Sequence, residues 1–115
     1  MRFEDLEVWK RSTRLTAAIY KHFRDLRDFG YRDQITRSAL SVPSNVAEGF
    51  ERESTAETLR FFVYAKGSCG ELRTQIHVGL EIGYIDSATG ATWLDETREI
   101  SAMLVGLMRS VERSS

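Results

Sequence analysis

Apolar residues along this chain recur every three or four positions, in four separate runs. In the first, Leu6, Trp9, Leu15, Ile19, Phe23 and Leu26 share one face with Ala18 beside them, which predicts a helix over about 5–26. Ile35, Ala39, Val42, Val46 and Phe50 predict a second over about 31–52, after a short connection through Arg27, Asp28, Phe29 and Gly30. Pro43 lies inside that pattern; because the apolar spacing continues in phase on both sides, a kink near Ala39–Val42 is expected, with a break into two helices as the alternative. Ser54-Thr55-Ala56-Glu57 reads as a capping box opening a third helix over about 54–83, with the stripe Leu59, Phe62, Ala65, Cys69, Leu72, Ile76 and Leu80. After a turn through Gly83–Gly90, Leu94, Thr97, Ile100, Leu104, Leu107 and Val111 predict a fourth over about 91–111. Short connections make consecutive helices antiparallel neighbours. The expected fold is therefore all-α: an antiparallel up-down-up-down four-helix bundle, one domain spanning 1–115.

Polar residues are patterned too. Gln34, Arg37, Ser41, Asn45 and Glu48 follow one another at steps of three or four on the second helix, as do Arg60, Tyr64, Ser68, Glu71 and Gln75 on the third. Folding these helices as a hairpin that turns near Ser54 places Gln34 opposite Gln75, Arg37 opposite Glu71, Ser41 opposite Ser68, Asn45 opposite Tyr64 and Glu48 opposite Arg60. Such a seam would fix register and assembly more than it would stabilise, because desolvation offsets most of what a buried ion pair gains. A ligand groove and a plain solvated face are the other readings. Ala65, Gly67, Ser68 and Gly70 are small enough for close helix approach, though each glycine costs about 1 kcal/mol of helix propensity.

Composition narrows the function classes. One proline and eight glycines in 115 residues are too few punctuators for a sandwich or barrel of short strands. No apolar run approaches the ~20 residues that span a bilayer, and the charged start MRFEDLEVWK lacks the apolar core of a secretory signal. The single cysteine, Cys69, has no partner for an intrachain disulfide, so a buried thiol in a cytoplasmic protein is expected. There is no Glu-x-x-His pair, no lysine-bearing phosphate loop and no nucleophile elbow, and His22 and His77 stand on different helices. No catalytic residue, metal ion or cofactor is expected, and the chain does not read as an enzyme.

Net charge is only −1, yet it is uneven. Residues 1–37 hold nine Arg and Lys against six Asp and Glu, whereas residues 38–115 hold seven against eleven. Between Trp9 and Arg24 there are five cations and no acid, and Lys10, Arg14, Lys21 and Arg24 share one helical face. A stripe of this kind could neutralise phosphates, and symmetry would multiply it in an oligomer. Trp9, Trp93, Phe61 and Tyr84 exceed what four narrow core stripes require and point to an interface between copies.

Several stretches carry a family resemblance over nearly the whole chain. They are Phe3-Glu4-Asp5-Leu6-Glu7-Val8-Trp9-Lys10, Gln34-Ile35-Thr36-Arg37-Ser38-Ala39, Ser41-Val42-Pro43-Ser44-Asn45-Val46-Ala47-Glu48-Gly49, Arg60-Phe61-Phe62, Ala65-Lys66-Gly67-Ser68, Glu71-Leu72-Arg73-Thr74-Gln75 and Gly83-Tyr84-Ile85. In these the chain resembles the bacterial four-helix bundle family also called the 23S rRNA intervening-sequence (S23-like) protein family. The resemblance implies a bundle protomer that assembles into a ring-like homopentamer. A related branch of that family, the accessory proteins of diversity-generating retroelements, forms similar pentamers that bind nucleic acid and a reverse transcriptase. The expected function is thus a non-enzymatic homo-oligomer associated with RNA or DNA through Lys10, Arg14, Lys21 and Arg24. The alternative is a scaffold that docks a protein partner on the assembled ring; neither reading involves a membrane.

Overall fold

The structure is a computed structural model and describes residues 1–114. A 3-10 turn, Phe3–Asp5, precedes four helices: α1 (Glu7–His22), α2 (Phe29–Phe50), α3 (Thr55–Glu81) and α4 (Ser87–Ser114). Short polar side chains open three of them, each accepting from a backbone N–H that has no partner within its own helix. Asp28 Oδ1 accepts from Tyr31 at 3.2 Å, Ser54 Oγ from Glu57 at 3.2 Å and Asp86 Oδ2 from Thr89 at 3.0 Å. These caps explain where the observed bounds depart from the expected ones. Asp28 draws Phe29 and Gly30 into α2, and Asp86 starts α4 four residues before the position that the Gly83–Gly90 turn suggested. Conversely α1 stops at His22, and Arg24 lies in the turn beyond it.

Helix α2 runs unbroken through Pro43, so it is one helix and not two. Proline has no N–H to give the carbonyl four residues back, which here belongs to Ala39. That carbonyl lies 2.9 Å from the hydroxyl of Thr16 on α1.

Each helix packs on its neighbours in sequence, and α1 also packs on α4, closing the bundle into a body of 46 × 22 × 20 Å. The core joins Val8, Leu15, Ile19 and Phe23 of the α1 segment to Ile35, Ala39, Val42 and Val46 of α2, and to Ala65, Cys69, Leu72 and Ile76 of α3. Trp93, Leu94, Ile100 and Leu104 of α4 complete it, with Ile85 closing one end. Close approach falls at Gly49, where an added Cβ would meet the Phe62 ring at 2.7 Å, at Gly79 against Tyr31 and Ile85, and at Gly90 against Leu80. Gly67 and Gly70, expected to serve that purpose, face open space. Gly83 has φ +81° and reverses the chain after α3, a left-handed conformation that glycine adopts without a Cβ clash.

Contacts along the bundle place its ends. Phe62 packs on Gly49 near one end of the α2–α3 hairpin, while Tyr31 Oη donates to the Gln75 carbonyl near the other at 2.6 Å. Arg11 holds Glu96 of α4 in a two-pronged ion pair, Nε to Oε2 at 2.9 Å and Nη2 to Oε1 at 2.7 Å. At the end where α1 meets α2, Asp28 Oδ2 accepts from Tyr84 Oη at 2.8 Å and His22 Nε2 donates to the Tyr84 carbonyl at 3.0 Å. At the opposite end Met1 and Ser114 line one recess with Phe50 and Thr55.

Candidate nucleic-acid interface

Buried Val8, Leu15 and Ile19 turn one side of α1 to the core, and the helical period then decides where its cations go. Lys10, Arg14 and Lys21 lie within about 40° of one another at 3.6 residues per turn, on the outward crest. Arg14 and Lys21 are exposed and Lys10 is half-buried. Arg24 is exposed in the turn that follows. Among the described residues none of these four forms an ion pair within 4.0 Å. The fifth cation, Arg11, points to the α4 side and is consumed by Glu96. Its hydrogen bonds hold the Glu96 carboxyl below the usual range, against a smaller opposing effect of burial.

Lys21 and Arg24 also line a groove of about 480 Å³ between the end of α1 and the start of α2, together with Tyr20, Phe23, Arg32, Asp33 and Thr36. Sequence spacing could not find Arg32, because it joins the site from another helix. Its guanidinium lies 4.8 Å over the ring of Phe29, and its Nη1 is 3.4 Å from the Arg24 carbonyl.

Further along the same helix pair, an apolar groove of about 470 Å³ is lined by Phe3, Trp9, Thr13, Thr16, Ala17, Leu40, Pro43, Ser44 and Ala47. The Thr13 hydroxyl is buried there without a hydrogen-bond partner.

The polar seam takes a different form from the one expected. Gln34, Arg37, Glu48, Arg60, Tyr64 and Glu71 are exposed, while Ser41, Asn45, Ser68 and Gln75 are half-buried. Neither expected ion pair forms across it: Glu48 and Arg60 instead pair with near neighbours along the chain, and among the described residues Arg37 and Glu71 form no ion pair within 4.0 Å. Glu48 binds Arg52 at 2.7 Å, and Arg60 approaches Glu57 at 3.9 Å. Asn45 Nδ2 likewise donates to its own helix, at the Ser41 carbonyl. The stripes flank the α2–α3 contact on its solvent side, where neighbours three or four residues away on the same helix are easier to reach.

The aromatic surplus is redistributed as well. Trp93 is buried against His22 and Phe23, Tyr84 binds Asp28, Phe61 sits under Arg52, and Trp9 packs on Phe3. The exposed rings are Tyr20, Phe29 and Tyr64.

The Cys69 thiol is buried, donates to the Thr97 carbonyl at 3.2 Å, and has its pKa pushed up by burial. Among the described residues no three His, Cys, Asp or Glu side chains are grouped to hold a metal ion, and no helix is long and apolar enough to cross a membrane.

Fold and site together define an all-α four-helix bundle with a basic crest and groove on its first helix pair. The chain belongs to the 23S rRNA-intervening sequence protein family, whose model matches residues 4–106. Among solved structures, it is similar to a protein of unknown function from the S23 ribosomal protein family of Bacteroides thetaiotaomicron VPI-5482. That likeness has a TM-score of 0.82 at 21% identity and covers 88% of this chain and 97% of the other, which shows the shared fold. None of the curated proteins matches the sequence.

Proposed function

We propose that this protein is a non-enzymatic homo-oligomer that associates with RNA or DNA in the cytoplasm. The carrying observation is the α1 crest, where Lys10, Arg14 and Lys21 lead to Arg24 with no carboxylate within ion-pair reach. Unpaired cations on a convex ridge are free to replace the counterions of a phosphate backbone. From Lys10 to Lys21 the ridge runs about 16 Å at 1.5 Å per residue, roughly five base-pair steps of a duplex at 3.4 Å each.

Self-assembly has its own support. The outer face of α3 exposes Val63, Tyr64 and Val78 around the open Gly67 and Gly70, with exposed Ile82 just past its end, and Leu40 is half exposed on α2. Apolar surface of this kind is what subunit contacts cover. The homopentamer implied by the family resemblance would set five crests around one axis.

The test is a fluorescence-anisotropy titration of labelled RNA and of duplex DNA with nuclease-treated protein at several salt concentrations. Affinity should fall steeply with salt and should vanish when Lys10, Arg14, Lys21 and Arg24 are all replaced by Gln. No binding at low salt would overturn the reading. A protein-docking scaffold is the second reading, favoured by the apolar groove around Leu40 and Pro43 with its unpartnered Thr13 hydroxyl. It predicts a specific protein partner whose capture is lost on Leu40→Glu.

A further inference from the structure

The cations at the end of α1 continue onto the next helix. Lys21 and Arg24 line the 480 Å³ groove from one side and Arg32 from the other. A second recess shares Tyr20, Asp33 and Thr36 with it and carries on along α2 to Arg37 and Leu40. The joined concavity therefore presents Lys21, Arg24, Arg32 and Arg37. It contains one carboxylate, Asp33, which lies 3.9 Å from Arg32 Nε and offsets part of that charge. Asp28, at the edge, already accepts from the Tyr31 N–H and from Tyr84 Oη.

Two aromatic rings accompany these charges. Tyr20 lines both recesses and is 45% exposed. Phe29 is 53% exposed beneath the Arg32 guanidinium. The larger recess is within the ~300–1,000 Å³ range of small-ligand pockets, and Lys21 joins it to the α1 crest.

Cations interleaved with rings in a concave site suit a polymer that alternates phosphates with flat, unstacked bases. A duplex keeps its bases stacked on one another, so it offers phosphates to the convex crest but no free base face to Tyr20. We infer that the groove between α1 and α2 is a single-stranded nucleic-acid site, in which Lys21, Arg24, Arg32 and Arg37 take phosphates and Tyr20 stacks on a base. This inference rests on the nucleic-acid reading above and deepens it by selecting the strand form.

The experiment compares an end-labelled thymidine-only strand with the duplex it forms with its complement, by anisotropy at several salt concentrations. The single strand is expected to bind at least about tenfold more tightly. Tyr20→Ala should weaken single-strand binding on the order of fivefold to a hundredfold, the range of one base–aromatic stack, and leave duplex binding unchanged. Tyr20→Phe, which keeps the ring, should bind as the parent does. Arg37→Ala, at an exposed position, should flatten the salt slope by about 0.7 for single strands. Circular dichroism melts of each variant establish that the fold is retained. Equal affinity for the two forms, or a Tyr20→Ala variant that binds single strands normally, would overturn the single-strand site while salt-dependent crest binding stood. Loss of all binding to both forms by the parent protein would overturn both readings.

Discussion

Thr16 on α1 carries the hydroxyl that serves the backbone carbonyl of Ala39, 2.9 Å away, where Pro43 withholds the usual helical donor. The same hydroxyl is 2.7 Å from the Ser12 carbonyl, so its one proton is shared between its own helix and α2. Both Thr16 and Ala39 are buried. Thr16→Val keeps the shape and removes the donor, and should cost about 1–3 kcal/mol, the range for an orphaned buried polar group. Combining it with Pro43→Ala supplies an amide that can reach Ala39, so the pair should lose less than the two single changes summed. A chemical-denaturation double-mutant cycle measures this coupling, and strict additivity would rule the repair out.

The Arg11–Glu96 pair predicts a pH effect with a definite sign. Arg11 holds the Glu96 carboxyl below its ordinary 4.5, so the folded state binds this proton less readily than the unfolded one. The contribution to stability is present above the unfolded value and is lost as pH falls through the lower folded value. Glu96→Gln should therefore flatten the stability curve below about pH 4.5. At neutral pH it should cost about 1 kcal/mol, as suits a partly buried two-pronged pair. Urea melts of parent and variant across that window check both statements; parallel acid slopes would exclude the pair as their source.

The glycines of α3 should behave in opposite ways. Gly79→Ala drives a methyl against Tyr31 and Ile85 and should destabilise by about 1–3 kcal/mol. Gly67→Ala meets nothing within the protomer and should raise helix stability by roughly 0.5–1 kcal/mol. If the outer face of α3 joins copies, that gain comes with weaker association. Thermal melts and sedimentation velocity on the same samples read the two effects separately. A Gly67→Ala protein that assembles as tightly as the parent would remove that face from the interface.

The apolar stripes were legible in the sequence because burial there follows the helical period. Ile35, Ala39, Val42 and Val46 on α2, and Phe62 through Ile76 on α3, are the core the spacing predicts. On α1 the pattern misjudged two kinds of residue. Ala18, read as core filler, is exposed, while Ser12 and Thr16 are buried because their hydroxyls bond backbone carbonyls. Apolar periodicity does not register a polar group whose hydrogen bond is already satisfied. The seam misled for a related reason: spacing says which residues share a face, but packing sets how far that face turns toward solvent.

The cations of α1 and the turn after it could be read from spacing as well, since Trp9 to Arg24 holds no acid in sequence, although Arg14 still acts on Glu96 of α4 from beyond ion-pair distance. Their groove could not. Arg32 and Tyr20 come together only through the packing of α1 on α2, and the α2 repeat places Arg37 with the seam although it lines the second recess. Spacing along one helix carries no information about which face of another will oppose it.

Met1 and Ser114 share one recess, whereas the basic groove opens beside the turn between α1 and α2, at the far end of the 46 Å bundle. In a polypeptide of residues 1–114 alone, a linker spanning that recess would join Met1 to Ser114 and close the chain on itself. Opening the closed chain within residues 25–27 would then give a permuted protein in the order α2, α3, α4, α1. Its groove would be built from the two new ends, Arg32 and Arg37 near the start and Lys21 and Arg24 near the finish.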